Sequence, residues 1–254
     1  MLLIILLTFV CVTGALSWFL LSHDRGPKEP VLALWLAFGL GALSALAAYF
    51  IEREFINPAN IAIGAPKDVL LRSTITVAVI EECCKFLPLA LYIYKRRYFN
   101  EHTDGVIYFA LVGLGFGLPE NLLYTLQQGT QTGITRIFLT PIFHAAITGM
   151  VGYFLAKQKL DHRSPLIVVI ALGVAIILHG FYDFGLLSGV LIYQLVSVII
   201  TISLAGSLFV LLIRATDHDQ DMGLSVVGRN NYCRTCGWPN PRHYLYCTRC
   251  GKNA

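Results

Sequence analysis

The chain has 254 residues, of which 56% are hydrophobic and 13% charged, with a formal net charge of +4 and a mean hydropathy of +0.66. A soluble domain carries about a quarter charged residues, and here the apolar residues fall in long blocks, not at helix-face spacing. These features exclude an ordinary soluble domain, and the modest positive charge leaves no nucleic-acid footprint, so a nucleic-acid partner is not expected.

An all-α polytopic membrane protein is the expected fold class. Seven stretches are long enough to cross a bilayer, which takes about 20 apolar residues at 1.5 Å rise: 2–21, 31–51, 69–94, 106–126, 137–156, 166–187 and 190–213. The first lacks a basic leader and a small-residue cleavage site, and its apolar run is too long for a signal peptide. It reads as a retained helix. Basic residues collect in "KRRYF" after the third stretch, in "AKQKLDHR" after the fifth, and at Arg214 and beyond. The loop 125–136 has one basic residue and the loop 187–189 has none. By the positive-inside rule this expects a multi-pass protein of the cell membrane, N-terminus outside and C-terminus in the cytoplasm.

Three domains are expected: membrane helices over 1–213, a polar linker over 214–231, and a small module over 232–254. The module reads "YCRTCGWPNPRHYLYCTRCGKNA", in which Cys233, Cys236, Cys247 and Cys250 form two CxxC knuckles, each followed by a glycine. Four thiolates suit one structural zinc ion, and a segment this short cannot fold on apolar burial alone. A reducing cytoplasm disfavours the alternative of disulfides. Arg234, Arg242 and Arg249 with Tyr232, Trp238 and Tyr244 give the module a basic, aromatic face, read as a protein-contact or regulatory surface. Cys11, Cys83 and Cys84 lie at membrane depth and are assigned to packing.

Ionisable residues inside a span cost at least about 2.5–3.5 kcal/mol each and usually mark function. The third stretch holds Glu81, Glu82 and Lys85 in "IEECCKF", where helical spacing puts Lys85 within reach of both glutamates. The fourth carries Glu120 in "GLGFGLPEN", beside small residues that let another backbone approach. The fifth carries His144, and the sixth carries His179 and Asp183 at i, i+4 in "HGFYD". Counted from Ser73, Glu81 lies about 12 Å below one membrane boundary. Glu120, His144 and His179 come to about 9–12 Å below the same boundary for a span of about 30 Å.

Four helices thus bring polar groups to one layer. Two adjacent carboxylates in a low dielectric do not both ionise cheaply, so one pairs with Lys85 or stays protonated while the other can act as a base on water. A histidine beside an aspartate can hold the water or donate to an oxyanion. These are the parts of a membrane-embedded peptide-bond hydrolase. The same acids could also carry ions or protons, or tie helices together in a non-catalytic scaffold.

Read in order, "EECCK", "FGLPE" and "HGFYD" look like EExxK, FxxxE and HxxxD motifs on separate membrane helices. They resemble the PrsW family of intramembrane proteases, whose wider relatives are the CAAX prenyl endopeptidases and bacterial CPBP proteins. The resemblance runs from Glu81 to Asp183 and leaves the cysteine module outside it. It implies a glutamate-dependent endopeptidase acting on a membrane-anchored protein, as the family's name-giving member acts on an anti-sigma factor. By that analogy Glu81 activates water, Glu82 pairs with Lys85, and His179 with Asp183 holds the water or oxyanion. Glu120 stands where the CAAX enzymes carry a histidine, so it can serve as a second water ligand, a metal ligand or an orienter of His179. The reading favours metal-free catalysis, with a zinc or similar ion on Glu81, Glu120 and His179 as the alternative.

Overall fold

The computed structural model describes residues 1–24, 28–62 and 64–222, with 224, 238, 249 and 250. Seven long helices follow in chain order: α1 Leu2–Ser22, α2 Val31–Phe55, α3 Lys67–Leu91, α4 His102–Gln128, α5 Thr130–Leu160, α6 Leu166–Leu187 and α7 Leu191–Asp221. Short 3-10 turns at Pro58–Ile61 and Ile93–Lys95 flank α3, and no strand occurs among the described residues. Prolines at 30, 66 and 165 precede α2, α3 and α6, where a fixed φ and a missing N–H do no harm.

Six of the seven helices are apolar enough to cross a membrane on their own composition, and α3 is the exception. Its charges explain why. Leu70, Ser73, Val77, Glu81, Glu82, Lys85 and Leu89 form one buried stripe at helical spacing, so the ionisable residues face the protein and not lipid. Large apolar side chains such as Leu3, Leu32, Trp35, Val169, Ile170 and Ile202 point outward, as expected where the surrounding solvent is hydrocarbon.

Helices α4 and α5 form the buried centre, a hairpin closed by Gly129 at φ 92. Across α4 lies α2, whose inward stripe is built of small residues: Ala33, Ala37, Gly41, Ser44, Ala45 and Ala48. The two backbones meet closely. A Cβ at Gly115 would collide with the Phe38 carbonyl of α2, and one at Gly113 with the His144 carbonyl of α5. Small residues therefore let α4 pass between its neighbours with its polar face intact.

Several helix boundaries differ from the sequence expectation, and three of them have a clear physical cause. The span expected from 137 begins at Thr130, so most of the expected loop 125–136 is helical and Arg136 sits on α5. A one-residue turn is enough there because Gly129 takes a positive φ and Gly133 packs on the Thr125 side chain. Helix α4 starts at His102, four residues before the expected span, because Asp104 accepts from the Asn100 and Glu101 amides and caps the start.

Helix α7 continues through 214–221, the first part of the stretch read as linker. The physical reason is Asp219. Its carboxylate accepts from the His102 and Thr103 amides, both at 2.8 Å, and from Thr103 Oγ1 at 2.7 Å, so the last turn of α7 is tied to the N-terminus of α4. Of the cysteines assigned to zinc, Cys233, Cys236 and Cys247 lie outside the described residues and Cys250 lies within them. In the same module the Arg249 guanidinium lies 4.6 Å from the Trp238 ring centroid.

Replacing Gly115 by Ala forces α2 away from α4. The expected loss is about 1–3 kcal/mol, seen as a lower thermal unfolding midpoint in detergent. Gly206→Ala, with open space around it, leaves the midpoint unchanged.

Candidate active site

Lys85 sits at the centre and is fully buried. Its ammonium reaches Glu82 Oε1 at 2.9 Å, Glu81 Oε2 at 3.2 Å and His144 Nδ1 at 3.0 Å. An ammonium has three donors, and each finds an acceptor. The ammonium also lies 3.9 Å from the centroid of the Phe116 ring. Helical spacing on α3 supplies the two glutamates, while the third acceptor comes from α5.

His144, accepting at Nδ1, presents Nε2–H to Glu120 Oε2 at 2.5 Å. The other oxygen of Glu120 takes Arg136 Nη2, and Arg136 Nε donates to Asn121 Oδ1 at 2.9 Å. Its guanidinium lies 4.1 Å from the Tyr124 ring centroid. On α6, His179 follows Ala171 and Ala175 on the inward stripe. Its Nδ1 contacts Glu82 Oε1 at 2.8 Å, and its Nε2 faces Asp183 Oδ2 at 3.4 Å and Glu81 Oε2 at 3.6 Å. Phe143 stacks on Tyr182 at 3.9 Å and presents its edge region to both imidazoles, which closes this side to water.

All seven residues singled out in the membrane helices, Glu81, Glu82, Lys85, Glu120, His144, His179 and Asp183, therefore belong to one connected network. Two details differ from the expectation. The carboxylate that pins His179 is Glu82, because α3 lays it directly against Nδ1, while Asp183 stands at the opposite nitrogen. Glu120 does not join Glu81 and His179 as a third metal donor, because Arg136 and His144 hold both of its oxygens.

The donor set that does converge is Glu81, His144 and His179, each offering one ligand atom within 4.8 Å of the others. One carboxylate and two imidazoles suit a catalytic zinc that keeps a position open. Glu82 behind His179 and Glu120 behind His144 are the outer carboxylates that fix such rings. The charge balance agrees: Glu81, Glu82, Glu120 and Asp183 outnumber Lys85 and Arg136. The residues fit a divalent ion, with Lys85 taking the acceptor position of His144 Nδ1 in this structure.

A cavity of about 430 Å³ opens onto the network between α2 and α4, bordered by Tyr49, Glu52, Glu81, Glu120 and Tyr124. Glu52 Oε1 is buried there with no hydrogen-bond partner. Sequence reasoning missed two members of this site. Glu52 falls just beyond the expected stretch 31–51, and Arg136 reads as the lone basic residue of the loop 125–136. Both sit at the membrane-facing ends of apolar stretches, and continuing the helices through 52–55 and 130–136 was the signal that would have found them.

Fold and site define a polytopic membrane protein with a buried, acid-rich polar centre bordered by a cavity. The chain matches the family described as PrsW family intramembrane metalloprotease over residues 29–208. It is 32% identical to Protease PrsW of Bacillus subtilis over 171 residues, covering 66% of this chain and 76% of that protein. It is 30% identical to Protease PrsW of Geobacillus kaustophilus over 174 residues, 68% and 75% of the two chains. The protein of the same name from Clostridioides difficile is 27% identical over 189 residues, 72% and 78%. No solved structure matches the chain. The chain belongs to the PrsW family and is an intramembrane protease. The family's description as metalloproteases runs against the metal-free preference drawn from sequence.

Lys85→Ala leaves Glu81 and Glu82 buried without their shared cation. The expected loss of stability is about 3–5 kcal/mol, measured as a fall in the unfolding midpoint. Arg136→Met is expected to lower activity with a smaller loss, because His144 still holds Glu120.

Proposed function

We propose that this protein is an endopeptidase that cuts membrane-anchored proteins inside the bilayer, with water activated at Glu81. The observation that carries the proposal is the convergence of Glu81, His144 and His179, with Glu81 bordering the cavity and Lys85 bonded to Glu81 and His144. A substrate segment enters between α2 and α4, where Tyr49 and Tyr124 offer flat contact surfaces. Glu81 Oε2 and His179 Nε2 stand 3.6 Å apart, close enough for one water to touch both. Glu81 takes the proton as that water attacks the scissile carbonyl. Glu82 keeps His179 in one tautomer, and Lys85 holds both glutamates in place by donating to each. Asp183 stands at Nε2 and limits how that ring can turn.

A second reading of the chemistry is favoured by the donor set and by the family's description. There Glu81, His144 and His179 would hold a divalent ion, which would supply Lewis acidity toward the carbonyl and a more acidic water. Glu81 would then be committed as a ligand, and Glu82 and Glu120 would hold the two imidazoles in place. The two readings separate on one measurement. Under the second, His144→Ala and His179→Ala lose bound metal together with activity, and a chelator abolishes cleavage reversibly. Under the first, chelation leaves cleavage unchanged.

The basic loops at 95–97 and 157–163 support a cytoplasmic position for that end of the bundle, with the N-terminus outside. The cysteine module then lies in the cytoplasm, with a structural zinc on Cys233, Cys236, Cys247 and Cys250. Its basic, aromatic face supports contact with another protein.

Cells carrying Glu81→Gln at matched expression are expected to lose a set of new protein N-termini that wild-type cells produce from single-span proteins. At least a hundredfold drop in those fragments, with normal insertion of the variant, is the outcome expected. Identical N-terminal profiles in the two strains across several stress conditions would overturn the proposal.

A further inference from the structure

A second polar cluster lies far from the active site, at the other end of α5. Seventeen residues separate His144 from Asp161, about 25 Å along the helix direction. His102 opens α4, Asp161 follows the last residue of α5, and His218 lies in the last turns of α7. His102 Nε2 stands 2.8 Å from Asp161 Oδ1, and His218 Nε2 stands 3.3 Å from the same oxygen. The two rings are edge-on with centroids 4.5 Å apart. Ligand atoms of all three residues fall within 4.8 Å of one another.

The outer contacts decide how these atoms are used. Asp219 is fully buried and fixed by two backbone amides and a threonine hydroxyl, and its Oδ1 lies 2.6 Å from His102 Nδ1. That carboxylate holds the proton on Nδ1 and turns Nε2 toward Asp161 Oδ1, where a bound cation would replace the Nε2 proton that bridges the two. A carboxylate behind the ring, with its far nitrogen facing a second carboxylate and a second imidazole, is the arrangement of a metal-bound histidine. The spacing agrees as well. Ligand bonds of about 2.0–2.1 Å in a tetrahedral shell put ligand atoms about 3.3 Å apart. The remaining oxygen of Asp161 faces Lys157 Nζ at 3.9 Å, so Oδ1 is left to the cluster.

We propose that His102, Asp161 and His218 form a binding site for a first-row divalent cation of the zinc class, separate from the catalytic centre. Two imidazoles and one carboxylate supply three ligands, and the exposure of His218 at 43% leaves an entry path and a fourth position for water. The ion clasps three elements at one point: the start of α4, the α5–α6 turn and the end of α7. Because α7 leads into the cysteine module, the clasp sets how the end of that helix is held against the membrane bundle.

The test uses the full-length protein in detergent, with Zn²⁺ and Co²⁺ as the probes. Wild type is compared with His218→Ala and Asp161→Asn, and with His179→Ala as the control for the active site. The expected result is one more bound equivalent in wild type than in either cluster variant, or at least tenfold weaker binding of that equivalent in the variants. His179→Ala retains it. The Co²⁺ spectrum of that equivalent carries nitrogen and oxygen ligation without the thiolate band of the cysteine module. Added Zn²⁺ raises the unfolding midpoint of wild type by several degrees more than that of His218→Ala. Equal metal content, equal affinity and equal midpoint shifts in wild type and both cluster variants overturn the proposal and leave a hydrogen-bonded latch.

Discussion

The structure depends on where the Lys85 ammonium is placed. A lysine with no exposed surface, at the level of the apolar core, is stable only where its charge is answered on every side. Glu81 and Glu82 answer it from its own helix and His144 answers it from α5. That requirement fixes the rotation of α3 about its axis and the depth of α5 relative to it. Once those two helices are set, His144 reaches Glu120 on α4, and Glu82 reaches His179 on α6. One buried cation thus organises four helices.

The apolar part of the fold makes this arrangement reachable. Without a hydrophobic drive between helices in lipid, close approach depends on small residues. The glycines of α4 and the alanine-rich stripe of α2 bring backbones together, so that short side chains such as Glu120 span the gap to Arg136 and His144. Beyond the close approach a cavity remains beside α2, lined with aromatic rings and acids. Tight α2–α4 packing at one level and a hollow between the same two helices at another are two results of one sequence pattern.

The distribution of charge has a functional direction. Carboxylates exceed cations in the active-site layer, and an excess of buried negative charge calls for a proton or a metal ion. Either suits a protease of this family: a shared proton leaves a glutamate to act on water, and a divalent ion would balance the layer outright. The donor set of Glu81, His144 and His179 is organised for the second as well as the first. At the far end, His102 and His218 meet Asp161 and Asp219 under the same logic, where α7 leaves the bundle.

The sequence by itself determined the class of protein, the helices and most members of the candidate site. Long apolar blocks can only be membrane helices, because unsatisfied backbone is intolerable in hydrocarbon. Charges placed inside such blocks must face inward, so Glu81, Glu82, Lys85, Glu120, His144, His179 and Asp183 could be read as one layer from rise per residue alone. Tertiary structure decided the pairings. That Glu82 and not Asp183 holds Nδ1 of His179, and that His144 and not Glu120 completes the donor set, depends on helix rotation and tilt, which a one-dimensional pattern does not contain. Arg136 and Glu52 escaped for a related reason. Both lie where a hydropathy pattern ends, and only packing against α4 carries the helices on and turns those side chains toward the site. The reach of α7 through Asp219 was hidden likewise, since the amides that hold its carboxylate lie 116 and 117 residues away in the chain.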